Sequence, residues 1–112
     1  MNIIHKNQTK KFKNSDSCLA IEYPSKDKRL NGSIIKLSGR YPDSGRVYNL
    51  KCKELFYIIS GSGIVEIEGN KDKISKGDLI FIKPKEKYFW KGEMEMFVMS
   101  VPTWNLKQQK RV

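Results

Sequence analysis

One histidine, His5, two cysteines, Cys18 and Cys52, and 12 Asp and Glu residues are the groups from which this 112-residue chain could assemble a reactive centre. The histidine stands alone near the start, and the cysteines lie far apart. They form neither the cluster of three or four Cys/His ligands that zinc requires nor the cysteine framework of a small disulfide-held domain. Both thiols are expected to be free. A second set of groups emerges from alternation. If the chain runs as one unbroken strand up to Glu54, then Arg46, Tyr48, Leu50, Cys52 and Glu54 share a face, and Phe56 follows Glu54 into the next strand. Tyr88 and Trp90 likewise face the same way.

Those side chains must be positioned by strands. Apolar residues recur close to period two, and no window of eleven or more residues keeps the i, i+3, i+4, i+7 stripe of a helix. The pattern predicts strands over 18–22, 33–37, 47–50, 55–59, 64–68, 71–74, 79–82, 88–90 and 94–101. Turn chemistry separates them: Asn31-Gly32, Pro42-Asp43-Ser44-Gly45, Gly61-Ser62-Gly63, Gly69-Asn70, Lys76-Gly77-Asp78, Lys83-Pro84-Lys85 and Lys91-Gly92. Many short strands at this spacing predict an all-β barrel or jelly roll. Segment 55–59 is apolar or aromatic throughout, so both its faces should be covered. In 64–68, Glu66 and Glu68 share one face and Val65 and Ile67 the other, as in a sheet with one wet side. The chain reads as a single domain, 1–112, with a core over about 17–104, an N-terminal arm 1–16 and a basic C-terminal tail 105–112.

Composition narrows the possible partners. Hydrophobic residues make up 38% and charged residues 30%, a globular balance. The 22 Lys and Arg give a net charge of +10, which raises nucleic acid as a partner. The lysines are spread from Lys6 to Lys110 rather than gathered on one face, so only weak, salt-sensitive attraction to polyanions is expected. No apolar run approaches the roughly 20 residues that cross a bilayer. The start lacks the apolar core of a secretory signal, and a cytoplasmic location is the expectation.

Two stretches carry more information than composition. The first, Glu54-Leu55-Phe56-Tyr57-Ile58-Ile59-Ser60-Gly61-Ser62-Gly63, leads from a carboxylate through an apolar strand to glycines. The second runs from Gly77-Asp78 through Leu79-Ile80-Phe81-Ile82 to Lys83-Pro84 and on to Tyr88. Together they resemble the two signature motifs of the cupin superfamily, with Glu54 and Gly61 at the spacing of the first. Segment 39–47 is similar to small single-domain bacterial cupins. The resemblance implies a cupin-like double-stranded β-helix, a jelly-roll barrel, in which a metal is usually held by histidines and a glutamate. Here the two histidine positions of the first motif fall on Tyr48 and Leu50, or in the alternative register on Val47 and Asn49, and the histidine of the second motif is Tyr88. Only the carboxylate remains. Adding Cys52 and Tyr88 gives a mixed donor set, and a phenol would have to lose a proton of pKa about 10. The expectation is a cupin without metal or other cofactor.

By the same resemblance the barrel mouth is lined by these positions and their same-face neighbours. Arg46, Tyr48, Leu50, Cys52, Phe56 and Trp90 then become ligand-binding candidates, and Glu54 with Tyr88 an acid/base pair of the kind an isomerase or epimerase needs. The set suits a small polar ligand, sugar-like or an anionic metabolite, with Arg46 as an anion contact. Each residue also has a packing explanation. Tyr48, Phe56 and Trp90 can fill a small barrel, Glu54 can pair with Arg46, and Cys52 can act as a small hydrophobe. Trp104 closes the barrel end as a lid or pins the tail. A homodimer is expected, from the resemblance and from open sheet edges.

Overall fold

The computed structural model describes residues 2–112. It contains nine strands, β1 Lys10–Ser15, β2 Cys18–Tyr23, β3 Asn31–Tyr41, β4 Val47–Asn49, β5 Lys53–Ile67, β6 Asn70–Ser75, β7 Leu79–Ile82, β8 Tyr88–Val101 and β9 Gln109–Arg111, with two short 3-10 turns at Lys6–Gln8 and Leu106–Gln108. Among the described residues no helix is long and apolar enough to cross a membrane.

All nine strands join one curled sheet whose hub is β8. One stretch of β8 pairs antiparallel with β3 from Asn31↔Ser100 to Tyr41↔Trp90, and its other edge pairs with β5 from Lys53↔Val101 to Ile67↔Tyr88. The sheet continues through β2 to β1 on one side and through β6 and β7 on β5; β4 links β8 to β9. Alternation sorts the faces. Cys18 and Ala20 on β2, Leu37 on β3, Phe56 and Ile58 on β5, and Met94, Met96 and Val98 on β8 are buried inside the curl.

Four expectations change. The segments 55–59 and 64–68 form one long strand, β5, and 88–90 and 94–101 form one long strand, β8. The glycines between them bend the strands instead of reversing them. Gly61 has φ +85° and Gly92 φ +147°, and Gly63 faces Gly92 across the ladder. A Cβ on Gly92 would lie 2.5 Å from the Ser62 carbonyl oxygen and 2.6 Å from the Gly63 Cα, so the two strands approach more closely here than any side chain allows. The β5–β8 register also shifts between Ile58 and Ser60, which turns the sheet's corner. Second, Asn31-Gly32 opens β3 rather than forming a turn. Third, the arm and the tail each contribute a strand, β1 on β2 and β9 on β4. Fourth, 55–59 is covered on one face only: Phe56 and Ile58 are buried, while Tyr57 is 43% exposed beside Leu79 and Phe81 on β7. Pairing on both edges places β5 within the sheet, but among the described residues nothing covers Tyr57, Leu79 and Phe81 on its outward side.

Candidate functional site

The inward faces of β2, β3, β5 and β8 line a partly open cavity of about 50 Å³. Glu54, at the start of β5, faces inward because Phe56 and Ile58 do. Its Oε1 accepts a hydrogen bond from the Asn49 side-chain amide (2.7 Å) and its Oε2 one from the Ser100 hydroxyl (2.8 Å). Asn49 in turn accepts from the Gln108 amide (2.9 Å), and Gln108 accepts from the backbone N–H of Cys52 (3.2 Å). This buried chain of hydrogen bonds ties the last 3-10 turn to β4, β5 and β8.

Aromatic rings form the walls. Phe56 and Trp90 stand 4.8 Å apart, and Tyr88 meets Trp90 edge-on at 6.3 Å. Tyr41, also lining the cavity, donates its hydroxyl to Gln109 (2.7 Å). Trp104 closes one side, its backbone N–H held by Asn31 (3.2 Å) and its ring 6.0 Å from Phe12 of β1. It lines the cavity while also packing on β1. A second carboxyl, Glu22 of β2, faces the same space.

Burial dominates the electrostatics. It raises the Glu54 carboxyl above its ordinary value, and the Glu22 charge adds to that, against the lowering effect of the Ser100 and Asn49 hydrogen bonds. Burial also raises Glu22. Tyr88 is pushed well above the usual phenol range by burial and then by Glu54, and Tyr41 is raised to about 12, mainly by burial. Near neutral pH both phenols are therefore hydrogen-bond donors that keep their protons. Tyr88 is unsuited to the base role and keeps only that of acid or donor. Cys18 and Cys52 are each raised to about 11 by burial, so neither thiol ionises readily.

Of the eight residues expected at the site, Glu54, Phe56, Tyr88 and Trp90 come together here, and Arg46, Tyr48, Leu50 and Cys52 do not line the cavity. The reason is a break in the strand. β4 ends at Asn49 and the chain bends through Leu50 and Lys51 before β5 begins, so the alternation does not carry from Arg46 to Glu54. Within β4 it is Val47 and Asn49, the alternative register, that are buried. Leu50 is 37% exposed, and the Cys52 thiol donates to the Pro102 carbonyl (3.2 Å). Arg46 pairs with Glu66 through two nitrogens at 2.6 Å and lies over the Phe89 ring. Its ion-pair partner is thus Glu66 rather than Glu54, and Glu66, expected on a wet face, is buried under this contact.

The residues that sequence reasoning missed are Glu22, Tyr41, Ser100 and Gln109, while Asn49 entered only as a position of the alternative register. Glu22 carried one signal, since it continues the inward row of Cys18 and Ala20. The donor set does not fit the metal that a cupin likeness implies. Both Glu54 oxygens are engaged by N–H or O–H donors, His5 is exposed beside the first 3-10 turn, and among the described residues no three His, Cys, Asp or Glu side chains gather at one point.

A curled jelly-roll sheet with its cavity between these strands is a cupin-like fold. No family model and no curated protein matches the sequence. Solved structures do. The chain superposes on Pac13 of Streptomyces, described as a unique nucleoside dehydratase, with a TM-score of 0.88 at 18% identity, covering 100% of this chain and 91% of that one. KdgF from Halomonas gives 0.72 at 14% identity over 92% and 96% of the two chains. An RmlC-like cupin from Shewanella frigidimarina gives 0.71 at 16% over 88% of each. Single-residue variants of Pac13 have been solved with uridine. At these identities the likeness is one of fold.

Proposed function

We propose that the chain binds, in this cavity and without a metal, a small polar organic molecule that has a ring and no negative charge, a nucleoside- or sugar-like compound. The observation that carries this reading is the make-up of the lining. Phe56, Tyr88, Trp90 and Trp104 offer ring faces, Ser33, Ser100, Glu22 and Glu54 offer hydrogen-bonding groups, and no Lys or Arg is among them. With Arg46 engaged elsewhere, an anion would meet two carboxyls and no counter-charge, which argues against the anionic metabolite. Nucleosides head the candidates because the Pac13 fold overlaps the whole of this chain.

Both tryptophans of the chain line the cavity, so its intrinsic tryptophan emission reports on that space. Titration with uridine, other nucleosides and neutral sugars is expected to give a saturable change that survives a chelator. The corresponding 5′-phosphate or uronic acid should bind at least roughly tenfold more weakly. Tighter binding of the anion, or loss of binding to the chelator, would overturn the proposal.

One observation favours a catalytic reading as well. Glu54 is a carboxyl that burial keeps inclined to hold its proton, facing a cavity that a second carboxyl shares. In a proton transfer next to a carbonyl, as in an isomerase, epimerase or dehydratase, Glu54 would be the acid, Glu22 the base and Tyr88 a donor to the developing oxyanion. A Glu54→Gln variant that keeps ligand affinity but loses turnover would separate this from binding alone.

A further inference from the structure

The cavity holds carboxyl groups in a chain that is basic as a whole. The chain has 22 Lys and Arg against 12 Asp and Glu, yet two carboxyls, from β2 and β5, face one partly open space with no cation among the lining residues. Among the described residues the ion pairs are Lys13–Asp16, Arg29–Asp27 and Arg46–Glu66, and none involves Glu22 or Glu54. Lys10, the register partner of Glu22 on β1, is exposed and makes no ion pair with it. Among the described residues Glu22 accepts from the Asn31 amide alone, at 3.4 Å, a long contact that leaves most of its accepting capacity unused.

Resting on the binding reading above, we propose that the ligand carries a protonated amine, seated between the Glu22 and Glu54 carboxyls with its ring against Phe56 and Trp90: an amino sugar or another amine-bearing ring compound. Three features of the cavity point to it. An ammonium brings N–H donors and a positive charge to two carboxyls that have no cation among the lining residues, and it favours their ionised form as it enters. The surrounding faces of Phe56, Trp90 and Trp104 are surfaces on which an organic cation is stabilised further. Burial disfavours the ionised carboxyls while the cavity is empty, and an entering cation reverses that preference. Glu22, less buried and with fewer partners than Glu54, is the residue that reads the charge.

Three probes of one shape test this on the full-length protein near pH 7.5, with tryptophan emission as the readout: benzylammonium, benzyl alcohol and benzoate. The ammonium is expected to bind at least roughly tenfold more tightly than the alcohol, with benzoate weakest. In Glu22→Gln the ratio of ammonium to alcohol affinity should fall to within about threefold, whatever the variant does to affinity in general. The wild-type ratio stands as a test even if the variant folds poorly. Alcohol binding as tight as ammonium, or no response to any of the three while a nucleoside or sugar binds, would overturn the amine proposal and leave the binding reading standing. No response to the probes and none to nucleosides or sugars would overturn the binding reading itself.

Discussion

Asn49→Ala is expected to destabilise the protein by about 2–6 kcal/mol, because it leaves two buried groups without their partners and each costs roughly 1–3 kcal/mol. The Asn49 side chain is only 1% exposed and is the middle member of a chain that runs from Gln108 to Glu54. Its removal takes a donor from the Glu54 carboxyl and an acceptor from the Gln108 amide. The Gln108 carbonyl oxygen also holds the backbone N–H of Cys52, so the tail turn and the start of β5 loosen together. Equilibrium unfolding in urea checks this: the midpoint should drop with little change in slope. Asn49→Asp should cost more near neutral pH, since it sets a second carboxylate against Glu54, and should recover as the pH is lowered and the pair takes up a proton. An Asn49→Ala midpoint within error of wild type would show the network to be dispensable.

Glu54→Gln is expected to raise the melting temperature near pH 7.5 and to flatten its dependence on pH. The sign follows from linkage. The folded-state pKa of Glu54 lies above its ordinary value of 4.5, so between that value and the folded pKa the folded state holds more protons than the unfolded chain. Stability therefore falls as pH rises through that window, and above it the cost of ionising a buried carboxyl is fully present. Glutamine carries no such cost. Its oxygen can still accept from Asn49, and its amide can donate to the Ser100 hydroxyl, which is free to rotate. The two proteins should converge near pH 4, where Glu54 is protonated in both states. For a chain of this size each kcal/mol moves the melting temperature by about 4 °C, so the gain is readable by calorimetry. A variant that melts lower than wild type across the range would mean that the ionised carboxylate is the form the fold favours. The residual slope of the variant belongs to Glu22, raised in the same direction.

Much of this arrangement could be read in the sequence. The motif spacing and the period of two placed Glu54 with Phe56 and Tyr88 with Trp90, although 55–59 and 88–90 are apolar on both faces and do not themselves show which side is inward. The missed parts depended on information that no local pattern holds. β1 (Lys10–Ser15) and β9 (Gln109–Arg111) are polar edge strands whose conformation is fixed by the strand beside them rather than by their own residues. Gly61 and Gly92 signal positive φ, which a bend and a reversal share; only the close pairing of β5 with β8 decides for the bend. Arg46 to Cys52 fell on the wrong face because the chain leaves the sheet at Leu50, and a one-residue change of register moves every side chain to the other side. Glu22 and Tyr41 reach the cavity from strands remote in sequence, through the pairing of β2 with β3 and of β3 with β8.

The most direct test is a ¹⁵N–¹H correlation spectrum recorded during titration with a nucleoside or sugar that calorimetry shows to bind. Trp90 and Trp104 give the chain's two indole N–H signals, and both rings line the cavity. Both signals should move in step with saturation, together with the backbone amides of Glu22, Glu54 and Tyr88. Indole signals that stay fixed while the ligand binds would locate the site elsewhere on the molecule and contradict the role assigned to this cavity.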